Sequence, residues 1–292
     1  MAVQWYPGHM NKARKIISSS MKEVDLVIEV MDARIPFSSE NPLVKELRQH
    51  RPCIKILNKE DLADPEVTRL WLAHFEKEKG VKAQALSVLE KAKTRRLPDL
   101  CRKMLPERGS AVKSIRVMIM GIPNVGKSTL INTLAGKTLA KVGDEPAVTK
   151  HVSSTQQRII LDGGIALSDT PGILWPKIEN ENSGYRLAVT GAIKNTAIDF
   201  EDIALFAAEY LIDAYEDRVV ERYKLKQSPA SDISLLEDIG RKRGCLRPGG
   251  VIDLQRASEI LIHDIRSGAL GRLSFETPEM IAAETAVVEQ GE

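Results

Sequence analysis

Apolar residues fall into two regimes along this chain. In its first half, short and nearly continuous apolar runs alternate with stretches where hydrophobic residues recur every three or four positions. The runs are VDLVIEVMD (24–32), CIKIL (53–57), the weaker AQALS (83–87) and IRVMIMG (115–121). Rich in Val and Ile and without polar alternation, they predict parallel strands covered on both faces. Helices are predicted between them. NPLVKELRQH has Pro42 at its first helical position, PEVTRLWLAHFEKEKG (65–80) has Pro near its start and Gly at its end, and LPDLCRKML precedes a break at PERGS. An earlier helix, capped by Asn11, is expected to run to about Lys22 with Ala13, Ile16 and Ile17 on one side. RIILD and IALSD (158–169) flank Gly163-Gly164 and read as a hairpin.

Beyond about residue 180 the strand signal ends. LAVTGAIKN, FEDIALFAAEYLIDAY, SLLEDIGRKRG and DLQRASEILIHDIRSG all carry a helical period. Strands alternating with helices imply right-handed crossovers and a mostly parallel sheet. The expectation is therefore an α/β domain over residues 1–178 and a smaller all-α domain over 179–276. An acidic, loose tail is expected over 277–292.

Composition adds limits rather than direction. A chain of 292 residues with 28% charged residues has room for two ordinary domains and is not a disordered polymer. The net charge of +2 neither demands nor excludes nucleic acid, but its distribution is uneven. Residues 1–22 carry Lys12, Arg14, Lys15 and Lys22 with no acid, 91–109 are basic, and no Lys or Arg follows Arg272. Cys53, Cys101 and Cys245 are too scattered for a metal site or a disulfide framework, which suits a reducing compartment. With no apolar leader and no run of membrane-spanning length, a cytoplasmic chain without membrane attachment is expected.

Three motifs carry chemistry. GIPNVGKS (121–128) fits G-x-x-x-x-G-K-[ST] and lies between a predicted strand and a predicted helix. Gly121 and Gly126 let the backbone curl so that N–H groups, including those of Val125, Gly126 and Thr129, face phosphate oxygens. The helix N-terminus adds positive potential there. Lys127 would bridge β- and γ-phosphates, and the Ser128 hydroxyl would ligate Mg²⁺. Asp169-Thr170-Pro171-Gly172 has the D-x-x-G form, an acid for Mg²⁺ through water and an N–H at Gly172 for the γ-phosphate. Asn58-Lys59-Glu60-Asp61 ends an apolar strand with what guanine requires. Asp61 accepts from the ring N–H and the exocyclic amine, Asn58 ties the base pocket to the phosphate loop, and the Lys59 stem lies over the base. Adenine lacks that donor pattern and would leave a buried acceptor unpaired. Ser87, at the next strand end, is a candidate for a backbone contact to the base.

The base reader precedes the phosphate loop by some sixty positions, the reverse of the common order. Strand termini in α/β domains lie close together, so a rejoined and recut chain still builds the same site at the carboxyl ends of its strands. The expected fold is a circularly permuted P-loop GTPase domain binding GTP and GDP.

WYPGHMNKA, DARIPFSSEN, LNKEDLAD, GIPNVGKSTLIN, PAVTK, DTPGILWPK, LAVTGAIK and SGALGRLSFE together resemble the YlqF/YawG type of the circularly permuted GTPase family of ribosome assembly. The resemblance covers the chain almost end to end. It implies GTP hydrolysis coupled to maturation of the large ribosomal subunit, with the precursor particle as partner and a C-terminal helical domain on ribosomal RNA. It also implies that Thr149 completes Mg²⁺ coordination, although Ala147 stands where the family pattern usually has Gly.

The glutamine that many GTPases place after D-x-x-G is here Ile173, which cannot orient water. Two residues are candidates for the missing function. Asn124 either holds a K⁺ beside the phosphates or only shapes the loop. His9, on a Gly-hinged turn, either swings toward the γ-phosphate or serves structure or RNA. Slow turnover alone, stimulated by ribosomal particles, is expected of a monomer that does not bind DNA. Two other readings are a non-catalytic RNA-binding module with GTP as structural ligand, and a permuted GTPase of tRNA modification.

Overall fold

A computed structural model describes residues 15, 17–108, 113–137, 158–161, 164–170, 180–193 and 199–290. The sheet strands are β1 (Leu26–Asp32), β2 (Cys53–Asn58), β3 (Val81–Leu86), β4 (Ile115–Met120), β5 (Arg158–Leu161) and β6 (Ile165–Asp169). They form one six-stranded sheet in the order β3-β2-β1-β4-β6-β5. All neighbours are parallel except β5, the antiparallel partner of β6 at the edge. β1, in the interior of the sheet, is buried along its whole length. Its Leu26, Ile28 and Val30 join one apolar cluster and its Val27 and Met31 the other, as the two-residue period of a strand requires.

The helices of the first half are α1 (Pro42–Arg48), α2 (Pro65–Phe75), the single turn α3 (Lys91–Thr94), α4 (Leu97–Met104) and α5 (Lys127–Ala135). Asn41 and Asp64 cap α1 and α2, each accepting from backbone N–H groups of the first turn, with proline next in both. In the second half are α6 (Glu181–Val189), α7 (Phe200–Tyr223), α8 (Asp232–Arg243), α9 (Leu254–Ser267) and α10 (Pro278–Gln290).

Three features depart from the expectations. The helix expected over LAVTGAIKN begins earlier, at Glu181 behind an Asn180 cap, and stops at Val189. Gly191 follows at φ +78, and Arg266 donates to the carbonyls of Val189 (3.0 Å) and Ala188 (2.6 Å), satisfying the helix end from outside. In the helical region Leu187, Ile203, Leu235 and Leu261 share the apolar cluster that holds Ile28 and Ile119. Finally, the acidic C-terminal stretch is helical through Gln290, and Ile281 of α10 packs in the cluster of Trp71 and Phe75 on the opposite face. Glu284 of α10 pairs with Arg186, so its acid character is used in docking. Among the described residues no helix is long and apolar enough to cross a membrane.

Candidate nucleotide-binding site

β4 runs into the loop 121–126 and then α5. A Cβ on Gly121, at φ +146, would strike the Val30 carbonyl of β1; a Cβ on Gly126, at φ +98, would strike the Asn58 side-chain nitrogen. Glycine is thus demanded twice, by conformation and by close approach. Asn124 between them also lies at positive φ, +60. Gly126 occupies the N-cap of α5, and no side chain caps the helix, so its first-turn N–H groups point into the loop mouth. Lys127 is buried, and its ammonium donates to the Ile122 carbonyl at 2.6 Å across the loop. Ser128 and Thr129 complete the first turn. These residues fit a nucleotide's phosphate chain: a backbone cradle that any side chain would fill, a buried cation and a helix N-terminus.

Asn58, fully buried at the end of β2, spans three segments. Its Nδ2 donates to the Val125 carbonyl of the phosphate loop (2.6 Å), and its Oδ1 accepts from the Val88 N–H beyond β3 (3.0 Å). Asn58 thereby joins the end of β2 to the glycine loop and to the segment beyond β3. Lys59 takes a left-handed conformation at φ 63, which turns the chain into a three-residue 3-10 helix, Glu60–Leu62. Asp61 on that turn is exposed and makes no hydrogen bond among the described residues. Ser87 is buried; its carbonyl accepts from the Glu90 N–H at 2.8 Å.

Lys59 Nζ lies 2.9 Å from Oδ2 of Asp32, the last residue of β1. The same carboxylate receives Nε (2.9 Å) and Nη2 (2.8 Å) of Arg34. Burial works against ionisation of Asp32, but the Arg34 and Lys59 charges overcome it and hold the carboxyl well below its usual range. Arg34 Nη2 also reaches the Thr190 carbonyl at 3.3 Å, and Asn124 Nδ2 donates to the Gly191 carbonyl at 2.9 Å. The loop after β1 and the glycine loop after β4 therefore both touch the turn after α6.

Asp169 ends β6 opposite Ile119 of β4, two residues before Gly121. The Thr170 hydroxyl donates to the Ile119 carbonyl at 2.7 Å, fixing this strand end against the phosphate strand. The donor types at Ser128 and Asp169 suit a hard cation such as Mg²⁺. Gly172, Thr149 and His9 lie outside the described residues.

Asp32 and Arg34 were not singled out as site residues from the sequence. The signal was an acid closing a strand that is apolar but for Glu29, a place where a lone charge would be costly without partners.

This sheet order, with the Asn58-Lys59-Glu60-Asp61 turn after β2 and the glycine loop after β4, defines a GTPase domain whose motifs run in circularly permuted order. GTP and GDP are the ligands of that class, with Mg²⁺ as the usual companion ion. A family model described as 50S ribosome-binding GTPase matches residues 116–233, the part that begins at the phosphate strand. Across 99% of both chains, this one is 42% identical to ribosome biogenesis GTPase A of Bacillus cereus. It is 45% identical to the protein of that name from Bacillus pumilus, over 96% of this chain and 100% of that one. The structure of GNP-bound YlqF from T. maritima superposes with a TM-score of 0.63 at 30% identity, covering 92% of this chain and 99% of that chain. The chain belongs to the ribosome biogenesis GTPase A family, GTP-hydrolysing enzymes of ribosome assembly.

Proposed function

We propose that this GTPase is a switch in maturation of the large ribosomal subunit, binding the precursor particle through ribosomal RNA when GTP is held. In this reading Lys127 bridges the β- and γ-phosphates, while Asn58, Lys59 and Asp61 select guanine with a backbone contribution from Ser87. Ser128, Thr149 and Asp169 hold Mg²⁺, which supplies charge neutralisation at the phosphates. Gly172 senses the γ-phosphate. Because Ile173 replaces the water-orienting glutamine, turnover is slow until a particle, His9 or a K⁺ beside Asn124 completes the site.

The observation that carries the reading is the pair of hydrogen bonds from Arg34 and Asn124 to the carbonyls of Thr190 and Gly191. Through them a change at the phosphate loop, or at Lys59 by way of the Asp32 carboxylate it shares with Arg34, reaches the turn after α6. Cations gather at one end of that region. Arg222 pairs with Asp264, Arg243 approaches the same carboxylate, and Lys242 donates to the Lys224 carbonyl. The C-terminal ends of α7 and α8 thus meet in a basic patch suited to phosphate backbone.

Co-sedimentation with large-subunit particles tests the proposal. A non-hydrolysable GTP analogue should carry the protein into the particle fraction, GDP should release it, and particles should accelerate phosphate release. Equal binding in both nucleotide states would reject the switch. Phosphate release unaffected by particles and by K⁺ would reject the stimulated mechanism.

A further inference from the structure

The turn that presents Asp61 is held by the far end of the chain. Arg272 Nη2 donates to the Glu60 carbonyl at 2.8 Å and Arg272 Nε to the Ala63 carbonyl at 2.7 Å. Between these, the Leu273 N–H donates to the Leu62 carbonyl at 2.8 Å. The Ser274 hydroxyl accepts from the Asp64 N–H at 3.2 Å, and the Phe275 N–H donates to the Arg34 carbonyl at 2.8 Å. The Tyr215 hydroxyl, at the kink of α7, accepts from the Ser274 N–H at 3.1 Å and lies 3.3 Å from an Asp64 carboxylate oxygen. A Cβ on Gly268 would collide with the Leu62 side chain, so α9 closes tightly on the same turn.

A three-residue 3-10 turn is a weak device for aiming a side chain, because its own hydrogen bonds are few and poorly aligned. Asp61 itself is exposed and held by no protein partner among the described residues. Reading guanine's two donors with one carboxylate requires that the carboxylate be aimed in advance, since a loose one loses the entropy of ordering on each binding event. Here the aim comes from the segment 272–275, which pins a carbonyl on each side of Asp61.

We propose that Arg272 is a positioning residue for guanine recognition, acting through the Glu60 and Ala63 carbonyls. Affinity for the base is then set by the docking of the C-terminal segment, and a partner that draws this segment away loosens the nucleotide. The inference rests on the reading that Asp61 takes the guanine edge.

The test uses the full chain and competition of GDP and inosine diphosphate against a fluorescent guanine nucleotide. Inosine diphosphate keeps the phosphates and the ring N–H but lacks the exocyclic amine. Arg272→Ala should cut the preference for GDP over inosine diphosphate about tenfold, inosine diphosphate itself weakening less because it has one contact to Asp61 to lose where GDP has two. Arg272→Lys, with one donor group for two carbonyls, should fall between. If the alanine variant does not fold, Ser274→Ala provides the readout through a smaller drop in the same ratio. An unchanged ratio in these variants, or an equal loss of both affinities, overturns the proposal while leaving base reading intact. A parent without preference for GDP, or Asp61→Asn retaining it, overturns base reading and the proposal together.

Discussion

Asn58→Ala removes one buried amide on which three segments converge, and its effects can be worked out from the hydrogen bonds it makes. The variant leaves the Val125 carbonyl and the Val88 N–H without their partner. An unsatisfied buried polar group costs about 1–3 kcal/mol, so the two together predict a loss of about 2–4 kcal/mol after partial relaxation. Urea unfolding at pH 7 gives the stability, provided the slope matches the parent's. GDP titration gives the consequence at the site: affinity should fall at least tenfold, because the phosphate loop loses its register with the base turn. Asn58→Asp sharpens the argument. It keeps an acceptor for the Val88 N–H but puts a carboxylate oxygen against the Val125 carbonyl, so it should be no more stable than the alanine variant. A midpoint within about 0.5 kcal/mol of the parent for both variants, below the cost of one lost buried hydrogen bond, would show that the loops hold themselves.

Other outcomes follow from the same contacts. Arg34→Ala breaks a buried ion pair and exposes Asp32 to its desolvation cost, which should destabilise by about 3 kcal/mol in urea; a variant as stable as the parent would mean that Lys59 alone satisfies the carboxylate. Burial pushes the Glu276 carboxyl up to about 7, against the opposing pull of Arg186 and the Ser38 donors. Its folded-state pKa lies above the unfolded value, so the native state binds the proton more tightly and stability from this group is lost as pH rises from about 4.5 to about 7. Glu276→Gln should flatten that part of the stability profile, and thermal melts across the window compare the two slopes. His9→Ala should depress particle-stimulated GTP turnover and leave GDP affinity nearly unchanged; equal stimulated rates would remove His9 from the mechanism.

The sheet was legible because its interior parallel strands are buried on both faces, which leaves nearly continuous apolar runs that few other elements share. The nucleotide motifs were legible for a related reason. A glycine loop between strand and helix, and an Asn-Lys-x-Asp at a strand end, use side chains whose spacing is set by local backbone geometry. What the sequence hid depends on distant partners. Asp32 and Arg34 look like an ordinary solvated pair until the fold buries both. Arg272 reads as the last base before an acidic stretch, since its partners are backbone carbonyls and carry no residue identity. α10 was missed because one anchoring side chain, Ile281, with a Glu284 ion pair, is too faint an amphipathic signal.

The clasp on the base turn joins residues separated by 209 and 212 positions. During synthesis, β1 and β2 leave the translating machinery long before Arg272 is made. The turn Glu60–Leu62 therefore receives its partners from Arg272 and Leu273 only once the return segment has been made. With Arg272 aiming Asp61 as proposed, a chain ended before Arg272 should bind GDP and inosine diphosphate alike. In a GTPase of ribosome assembly, the order of manufacture thus completes this turn only after the helical region has emerged.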